Sequence, residues 1–268
     1  MTRFSSYPAG VPCFVDAFSP DPDAARGFYE AIFGWEFSGP GPMPGDPPGE
    51  YYVARVRDAE VAGLGSMPSP QTPIAWNTHV AVDDVEVVAE LAQTAGGSVV
   101  VEPVDAAPAG RLAVLADPAG ARVTIWQAGS RHGAGVVNEP SAWAMSLLST
   151  PDPDAAAEFY ATVFGWQREP FADAGPGVSL FRLPGYVGGE PNQPVPRDVV
   201  AAMAGVPDPS TPAAWSVDFW ISDAEAAATA APGLGGSVIA PPHDAPPFRR
   251  VALAAPDGAV FSVSELRL

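Results

Sequence analysis

The chain has 268 residues, of which 31 are acidic and 13 are basic, and its formal net charge is −18. A surface of that charge repels nucleic acid and anionic membranes, so we expect neither as a partner. The single cysteine excludes a disulfide framework within the chain, and no signal-like or membrane-spanning apolar run is seen, so we expect a soluble cytoplasmic protein.

The first predicted elements are a strand over 11–18 and a helix that follows it. Asp21 is a favourable residue for the helix N-cap, and Pro22 suits the first helical position. Apolar residues then recur at helical spacing, and the glycine of Phe-Gly-Trp at 33–35 is expected to end the helix.

The remainder of the first half predicts further strands, a second helix and a loop. The second helix is expected to begin after Asp84 and to end at the Gly96-Gly97 pair. The Pro-rich stretch 40–48 is typical of a loop. Short apolar runs predict strands over 51–56, 61–66, 76–82, 99–101, 112–116 and 122–126.

The second half of the chain repeats the first. The segment SPDPDAARGFYEAIFGW at 19–35 returns as TPDPDAAAEFYATVFGW at 150–166. Further along, AWNTHVAVDD at 75–84 returns as AWSVDFWISD at 214–223. Self-similarity in the same order indicates two homologous domains.

The repeat predicts an α+β chain with a first domain over 1–130, a linker over 131–139 and a second domain over 140–268. Each domain is expected to hold two β-α-β-β-β modules. The segment 186–213 is expected to be a loop with room for a short helix over 199–204.

The repeated motifs resemble those of the vicinal oxygen chelate superfamily. They are Asp-Pro-Asp before a helix that ends in Phe-Gly-Trp, an acidic cap before a helix that ends in Gly-Gly, and a DPxG turn before the last strand. That superfamily includes glyoxalase I, extradiol dioxygenases and bleomycin-resistance proteins, and the resemblance is greatest to its tandem two-domain actinobacterial branch. It implies glyoxalase-like domains in which two βαβββ modules form a curled mixed sheet around a cleft.

The resemblance also implies where catalytic members of the superfamily hold a divalent metal. The corresponding positions are Phe14, Gly63, Asn77 and Thr124 in the first domain, and Met145, Gly188 or Gly189, Ser216 and Ser262 in the second. Phenylalanine offers no donor atom, and methionine, asparagine, threonine and serine are poor ligands for zinc, iron or nickel. We therefore expect no metal and no other cofactor.

A displaced metal site is the alternative at the same clefts. His79 and Asp16, or Asp218 in the second domain, stand two residues along the strands from the implied positions. A step of two residues keeps a side chain on the same face of a strand. One histidine with one or two carboxylates would bind a metal weakly.

The same alternation predicts which side chains face the two clefts. In the first domain these are Phe14, Asp16, Asn77, His79, Thr124 and Trp126. In the second domain they are Trp143, Met145, Leu147, Ser216, Asp218, Trp220, Ser262 and Ser264. Aromatic rings and methionine with a few polar groups suit a flat, largely apolar ligand, and the alternative is that they merely fill the sheet surface.

Two further residues have open interpretations. Asp218 lies within an apolar strand and needs a partner, which could be a cationic group of a ligand such as an amine. His243 precedes the penultimate strand and either lines the mouth of the second cleft or is merely exposed.

The leading hypothesis is metal-independent binding or sequestration of an aromatic, partly hydrophobic small molecule, such as an antibiotic or a polyketide-like metabolite. Self-resistance or help to a biosynthetic enzyme would be the setting, and the protein would be a monomer or a homodimer. The alternative is a metal-free enzyme in which His79 is the general base and Asp16 orients it. A metal-dependent glyoxalase or dioxygenase is the third hypothesis, and whether the chain is an enzyme stays open.

Overall fold

Sixteen strands and four α-helices are described in the computed structural model, which covers residues 3–44, 48–188 and 197–267. The first domain contains β1 (Pro12–Ser19), α1 (Pro22–Phe33), β2 (Glu36–Met43), β3 (Gly49–Val56), β4 (Ala59–Ser66), β5 (Trp76–Ala81), α2 (Val85–Thr94), β6 (Ser98–Ala106), β7 (Gly110–Ala116) and β8 (Arg122–Ala128). The second contains β9 (Trp143–Thr150), α3 (Pro153–Phe164), β10 (Gln167–Pro170), β11 (Val178–Arg182), β12 (Val199–Gly205), β13 (Ala214–Trp220), α4 (Ala224–Ala230), β14 (Ser237–Ala245), β15 (Phe248–Ala254) and β16 (Val260–Leu266).

Each domain forms one eight-stranded mixed sheet, as the predicted α+β architecture requires. The strand orders are β2-β3-β4-β1-β5-β8-β7-β6 and β10-β11-β12-β9-β13-β16-β15-β14. The first strands of the two modules pair antiparallel in the centre of each sheet, and each also pairs parallel with the last strand of its own module. The modules therefore combine within a domain, first with second and third with fourth.

The predicted caps are confirmed at the two long helices. The side chains of Asp21 and Asp152 accept hydrogen bonds from the backbone of Ala24 and Ala155, both at 3.0 Å. Gly34 closes α1 in the left-handed conformation with φ of 67°, a backbone state that glycine adopts without the steric penalty of a Cβ. The repeated motif thus specifies both ends of each helix.

Two local predictions were wrong. Residues 40–43 of the predicted loop 40–48 belong to β2, whose place at the edge of its sheet tolerates proline because the outer backbone amides need no partner, and 45–47 lie outside the described residues. Within the predicted loop 186–213, of which 189–196 lie outside the described residues, the short helix expected over 199–204 is instead the strand β12, which pairs with β9 and β11. Pairing on both sides outweighs the weak helical preference of an alanine-rich run.

The two sheets pack back to back through their helix-bearing faces. Across this interface the first module packs on the fourth, and the second packs on the third. One buried cluster joins α1 and its strands to the fourth module, and a second joins the second module to α3 and its strands. The opposite face of each sheet is left for a site.

The repeated Phe-Gly-Trp and Gly-Gly motifs are contacts between the domains. Trp35 Nε1 donates to the carbonyl of Ser141 at 2.7 Å, and Trp166 Nε1 donates to the carbonyl of Gly10 at 2.6 Å. A Cβ added at Gly97 would lie 2.5 Å from the Phe159 ring of the other domain. These motifs recur because each domain presents them to its neighbour.

The helices of the described residues are short. None of them is both long and apolar enough to cross a membrane, and the longest span 12 residues.

Candidate functional site

A cavity of about 630 Å³, including its open mouth, lies on the face of the first sheet that turns away from the second domain. Its walls are mainly aromatic and aliphatic and are formed by Phe14, Phe18, Pro42, Met43, Pro44, Tyr51, Ala106, Ala109, Leu112 and Trp126, with Gly133 at the edge. Three charged or titratable side chains, Asp16, His79 and Arg131, complete the lining.

Strand register brings the first-domain candidates together. Phe14 of β1 is opposite His79 of β5, and Asp16 is opposite Asn77. His79 is also level with Thr124 of the neighbouring parallel strand β8. Phe14, Asp16, His79 and Trp126 line the cavity, whereas Asn77 and Thr124 lie beside it without being among its lining residues.

A buried polar network is centred on the Asp16 carboxylate. Its Oδ2 lies 3.1 Å from His79 Nε2 and accepts a hydrogen bond from Tyr51 Oη at 2.9 Å. Its Oδ1 accepts from Asn77 Nδ2 at 3.0 Å. His79 Nε2 is buried, and although it lies 3.1 Å from Asp16 Oδ2 it makes no aligned hydrogen bond within the described residues.

The network keeps Asp16 ionised although its side chain is 4% exposed. Burial raises the pKa of Asp16, but the charge of His79 and the donors around the carboxylate outweigh burial, so the pKa lies below its usual value. Burial and the Asp16 carboxylate raise the pKa of Tyr51, so the phenol stays protonated and donates. The cavity therefore contains a fixed anion next to an imidazole.

Tyr51 is a member of the site that sequence reasoning missed. The strand around it was predicted, but the register that aims its hydroxyl at Asp16 is set by β4, which is far along the chain from β1. A Cβ added at Gly63 would lie 1.9 Å from Tyr51 Oη. The phenol thus occupies the space into which a metal ligand at position 63 would extend.

The residues present do not fit the metal site that the superfamily implies. Phe14, Gly63, Asn77 and Thr124 hold the implied positions without a strong ligand among them. Within ranges 3–44, 48–188 and 197–267, no group of three or more His, Cys, Asp or Glu side chains could hold a metal ion. In the first domain, the alternative of a displaced metal site therefore has only two candidate ligands among the described residues, His79 and Asp16.

The equivalent positions of the second domain hold an ion pair. Asp218 occupies the sheet position of His79, and its Oδ1 accepts from Arg250 Nη2 at 3.1 Å and from Ser264 Oγ at 2.8 Å. Burial raises the pKa of Asp218, and Arg250 and Ser264 offset only part of that rise. Asp218 was expected to need a polar or cationic partner, and Arg250 of the same chain is that partner. No ligand amine is needed to compensate its charge.

The same comparison shows what changed between the two sheets. In the first domain Leu112 of β7 is opposite Trp126 of β8, and both line the cavity. In the second domain Arg250 and Ser264 form the corresponding pair. An apolar wall in one sheet is thus an arginine–serine pair in the other.

The remaining second-domain candidates do not form one cluster. Trp143, Met145 and Trp220 line another cavity, at the junction of the domains. The hydroxyl of Ser216 donates to the carbonyl of Leu147 at 3.3 Å.

Ser262 is level with Asp218 in the paired strands β13 and β16. His243 lies exposed on β14 with Nδ1 3.1 Å from the carbonyl of Pro241, and it is not among the lining residues of the described cavities.

One positional inference was wrong. Gly63 pairs with Asp16, and in the second sheet Ala202 pairs with Leu147, the repeat equivalent of Asp16. Ala202 is therefore the counterpart of Gly63 in place of Gly188, and Gly189 lies outside the described residues.

A family model for a glyoxalase-like domain matches residues 13–126 and 145–264. CFP32 of Mycobacterium tuberculosis, a provisionally named glyoxylase, is 37% identical over 269 residues, covering 98% of this chain and 97% of that protein. The anthracycline biosynthesis protein DnrV of Streptomyces peucetius is 32% identical over 282 residues, covering 100% of this chain and 96% of that protein.

Among solved structures, the Mn(II)-bound glyoxalase of Novosphingobium aromaticivorans matches with a TM-score of 0.64 and 16% identity, covering 99% of this chain and 83% of that chain. An identity this low shows that the two proteins share the fold.

Proposed function

The chain belongs to the glyoxalase-like family within the vicinal oxygen chelate superfamily, and from that premise we propose that its first-domain cavity binds an aromatic, partly hydrophobic small molecule without a metal ion. The observation that carries this proposal is the lining of the cavity: aromatic and aliphatic walls around a small polar cluster centred on Asp16, with no chelating set of side chains among the described residues. Such a lining is typical of sites for flat organic ligands.

Three rings form a continuous wall to which a planar ligand can bind. The Phe14 and His79 ring centroids are 6.0 Å apart, and those of His79 and Trp126 are 6.3 Å apart, both in edge-to-face arrangement. Each favourable aromatic contact adds about 0.5–1.5 kcal/mol beyond the burial of area. His79 and the Asp16 carboxylate would then fix the polar edge of the ligand.

The proposed setting is biosynthesis of, or self-resistance to, a polyketide-like metabolite. A relative named for anthracycline biosynthesis matches this chain along its whole length, which supports a ligand of fused aromatic rings. Sequestration would need only the cavity, whereas chemistry would also need the Asp16–His79 pair.

A calorimetric titration of the protein with an anthracycline aglycone tests the proposal. Leu112→Arg would place a guanidinium in the first cavity, as Arg250 does in the second sheet, and should abolish binding at that cavity. Leu147→Arg adds the same charge to the corresponding face of the second sheet and should leave binding unchanged. Absence of binding by the unmodified protein, or equal binding by Leu112→Arg, would overturn the proposal.

A second candidate function is metal-free acid–base catalysis. The observation that favours it is the 3.1 Å approach of His79 Nε2 to an ionised Asp16 inside a ligand cavity. His79 would take or give a proton, and Asp16 would orient the ring and stabilise its charged form. His79→Ala should then abolish turnover of the bound aromatic while changing its affinity only modestly; parallel loss of affinity and turnover would favour a binding role alone.

A further inference from the structure

The second cavity, of about 650 Å³, is built by both domains together. Its lining comes from the N-terminal segment and the start of β1, from the linker, and from strands β9, β12 and β13 of the second domain. Asp218 and Arg250, the repeat equivalents of His79 and Leu112, pair with each other and are not among its lining residues. Phe14 and its equivalent Met145 mark the one repeated position that lines both cavities among the described residues. The junction cavity is thus not a repeat of the first site.

Aromatic rings from both domains face this cavity. Phe4 and Tyr7 stack with centroids 5.3 Å apart and planes inclined by 16°, and they extend the first domain towards the second. Trp143, Tyr186 and Trp220 supply the second domain's side. A flat aromatic skeleton is the kind of ligand that such a set of rings accepts.

Arg197 lines the same cavity, and its guanidinium has no salt-bridge partner among the described residues. Its Nε donates to the carbonyl of Gly188 at 3.0 Å. Most other arginines are paired, as Arg250 is with Asp218. In a chain with net charge −18, such a guanidinium beside aromatic rings is available for a ligand anion.

Two further donors of the cavity lining lack an acceptor among the described residues. The Tyr186 hydroxyl makes no hydrogen bond there, and burial raises its pKa, so it remains a donor. Trp143 is 5% exposed and its Nε1 is buried without an acceptor. Buried donors are nearly always satisfied, so an unsatisfied indole in a cavity wall indicates a missing partner.

We propose that the junction cavity is a second ligand site, which takes a planar aromatic molecule bearing an anionic group such as a carboxylate, with Arg197 as the anion-binding residue. At physiological salt, exposed charges more than about 8 Å apart are largely screened from each other. The acidic surface of the chain therefore opposes an anion in this cavity only weakly. The site does not depend on the function proposed for the first cavity.

Calorimetric titration of the full chain with anthraquinone-2-carboxylate, and with the uncharged carboxamide for comparison, tests the site. The Leu112→Arg background removes the first cavity, so the remaining binding reports the junction alone. Arg197→Gln in that background should weaken carboxylate binding roughly tenfold to hundredfold, the usual worth of a charged hydrogen bond. Arg122→Gln is the matched control, because Arg122 is exposed, forms no salt bridge within the described residues and does not line the cavity.

The expected result is one carboxylate bound per Leu112→Arg chain, weaker binding of the carboxamide, and no effect of Arg122→Gln. Equal binding of the two probes, an unchanged affinity in Arg197→Gln, or no binding to the Leu112→Arg chain would each overturn the second site. None of these three results bears on the anthracycline titration of the unmodified protein, so failure of this site and failure of the first are distinguishable.

Discussion

Replacing Tyr51 with phenylalanine removes one hydroxyl from the first cavity and keeps the ring. The lost group donates to Asp16 Oδ2 at 2.9 Å, and the Asp16 side chain is 4% exposed. A hydrogen bond to a charged group contributes about 1.5–3 kcal/mol to the free energy of unfolding. Because Asn77 and His79 still contact Asp16, we expect the lower end, about 1.5 kcal/mol.

The adjacent residue provides a matched control. Tyr52 Oη also donates to a carboxylate, Glu50 Oε2, at 2.9 Å, but Glu50 is exposed. Water can replace the phenol at Glu50, so Tyr52→Phe should change the free energy of unfolding by less than about 0.5 kcal/mol. The two substitutions delete the same group from the same strand and differ in the burial of the acceptor.

Urea denaturation between pH 7 and about pH 3 measures both effects. The folded state lowers the pKa of Asp16, so the ionised carboxylate stabilises the fold at neutral pH, and that contribution is lost as the pH falls through the folded-state pKa. The deficit of Tyr51→Phe should therefore be constant down to about pH 5 and shrink below about pH 4. Equal effects of Tyr51→Phe and Tyr52→Phe at pH 7 would refute this reasoning.

Three further substitutions test the packing of the two domains and the second sheet. Gly97→Ala should lower the melting temperature measured by calorimetry, because its Cβ would lie 2.5 Å from the Phe159 ring of the other domain and 2.6 Å from the backbone oxygen of Ala116. In Gly120→Ala the added Cβ meets nothing within 4 Å, so the melting temperature should fall only by the strain of an alanine at φ of +93°. Thr78→Val should lower the free energy of unfolding by about 1–3 kcal/mol, because it leaves the buried Ser146 hydroxyl, 2.6 Å away, without its hydrogen-bond partner. Adding Ser146→Ala should recover part of that loss in a double-mutant cycle. Arg250→Leu should destabilise the protein to urea at pH 7 and less at acidic pH, since the uncompensated Asp218 then protonates more readily.

Much of the architecture was accessible from the sequence because its signals are local. The internal repeat, the Asp-Pro caps and the Gly-Gly helix ends each depend on neighbouring residues, and they led to the family, the α+β class and the two tandem domains. The strand over 199–204 was mistaken for a helix because its state is decided by β9 and β11.

The site was only partly accessible, since it depends on register between distant strands. Alternation placed Asp16 and His79 on one face, and their 3.1 Å contact follows from the pairing of β1 with β5. Tyr51 and Arg250 contact the buried carboxylates of Asp16 and Asp218, and Arg197 lines the junction cavity. No motif marks these residues, because Tyr51 and Arg250 contact residues far from them in sequence and Arg197 faces open space.

The most direct test of a metal-independent aromatic site is one calorimetric titration performed twice. An anthracycline aglycone is titrated into chelator-treated protein and into the same protein with added Mn²⁺. We predict the same affinity and the same stoichiometry in both titrations. Binding that is present only with Mn²⁺, or absent from both, would contradict the central claim.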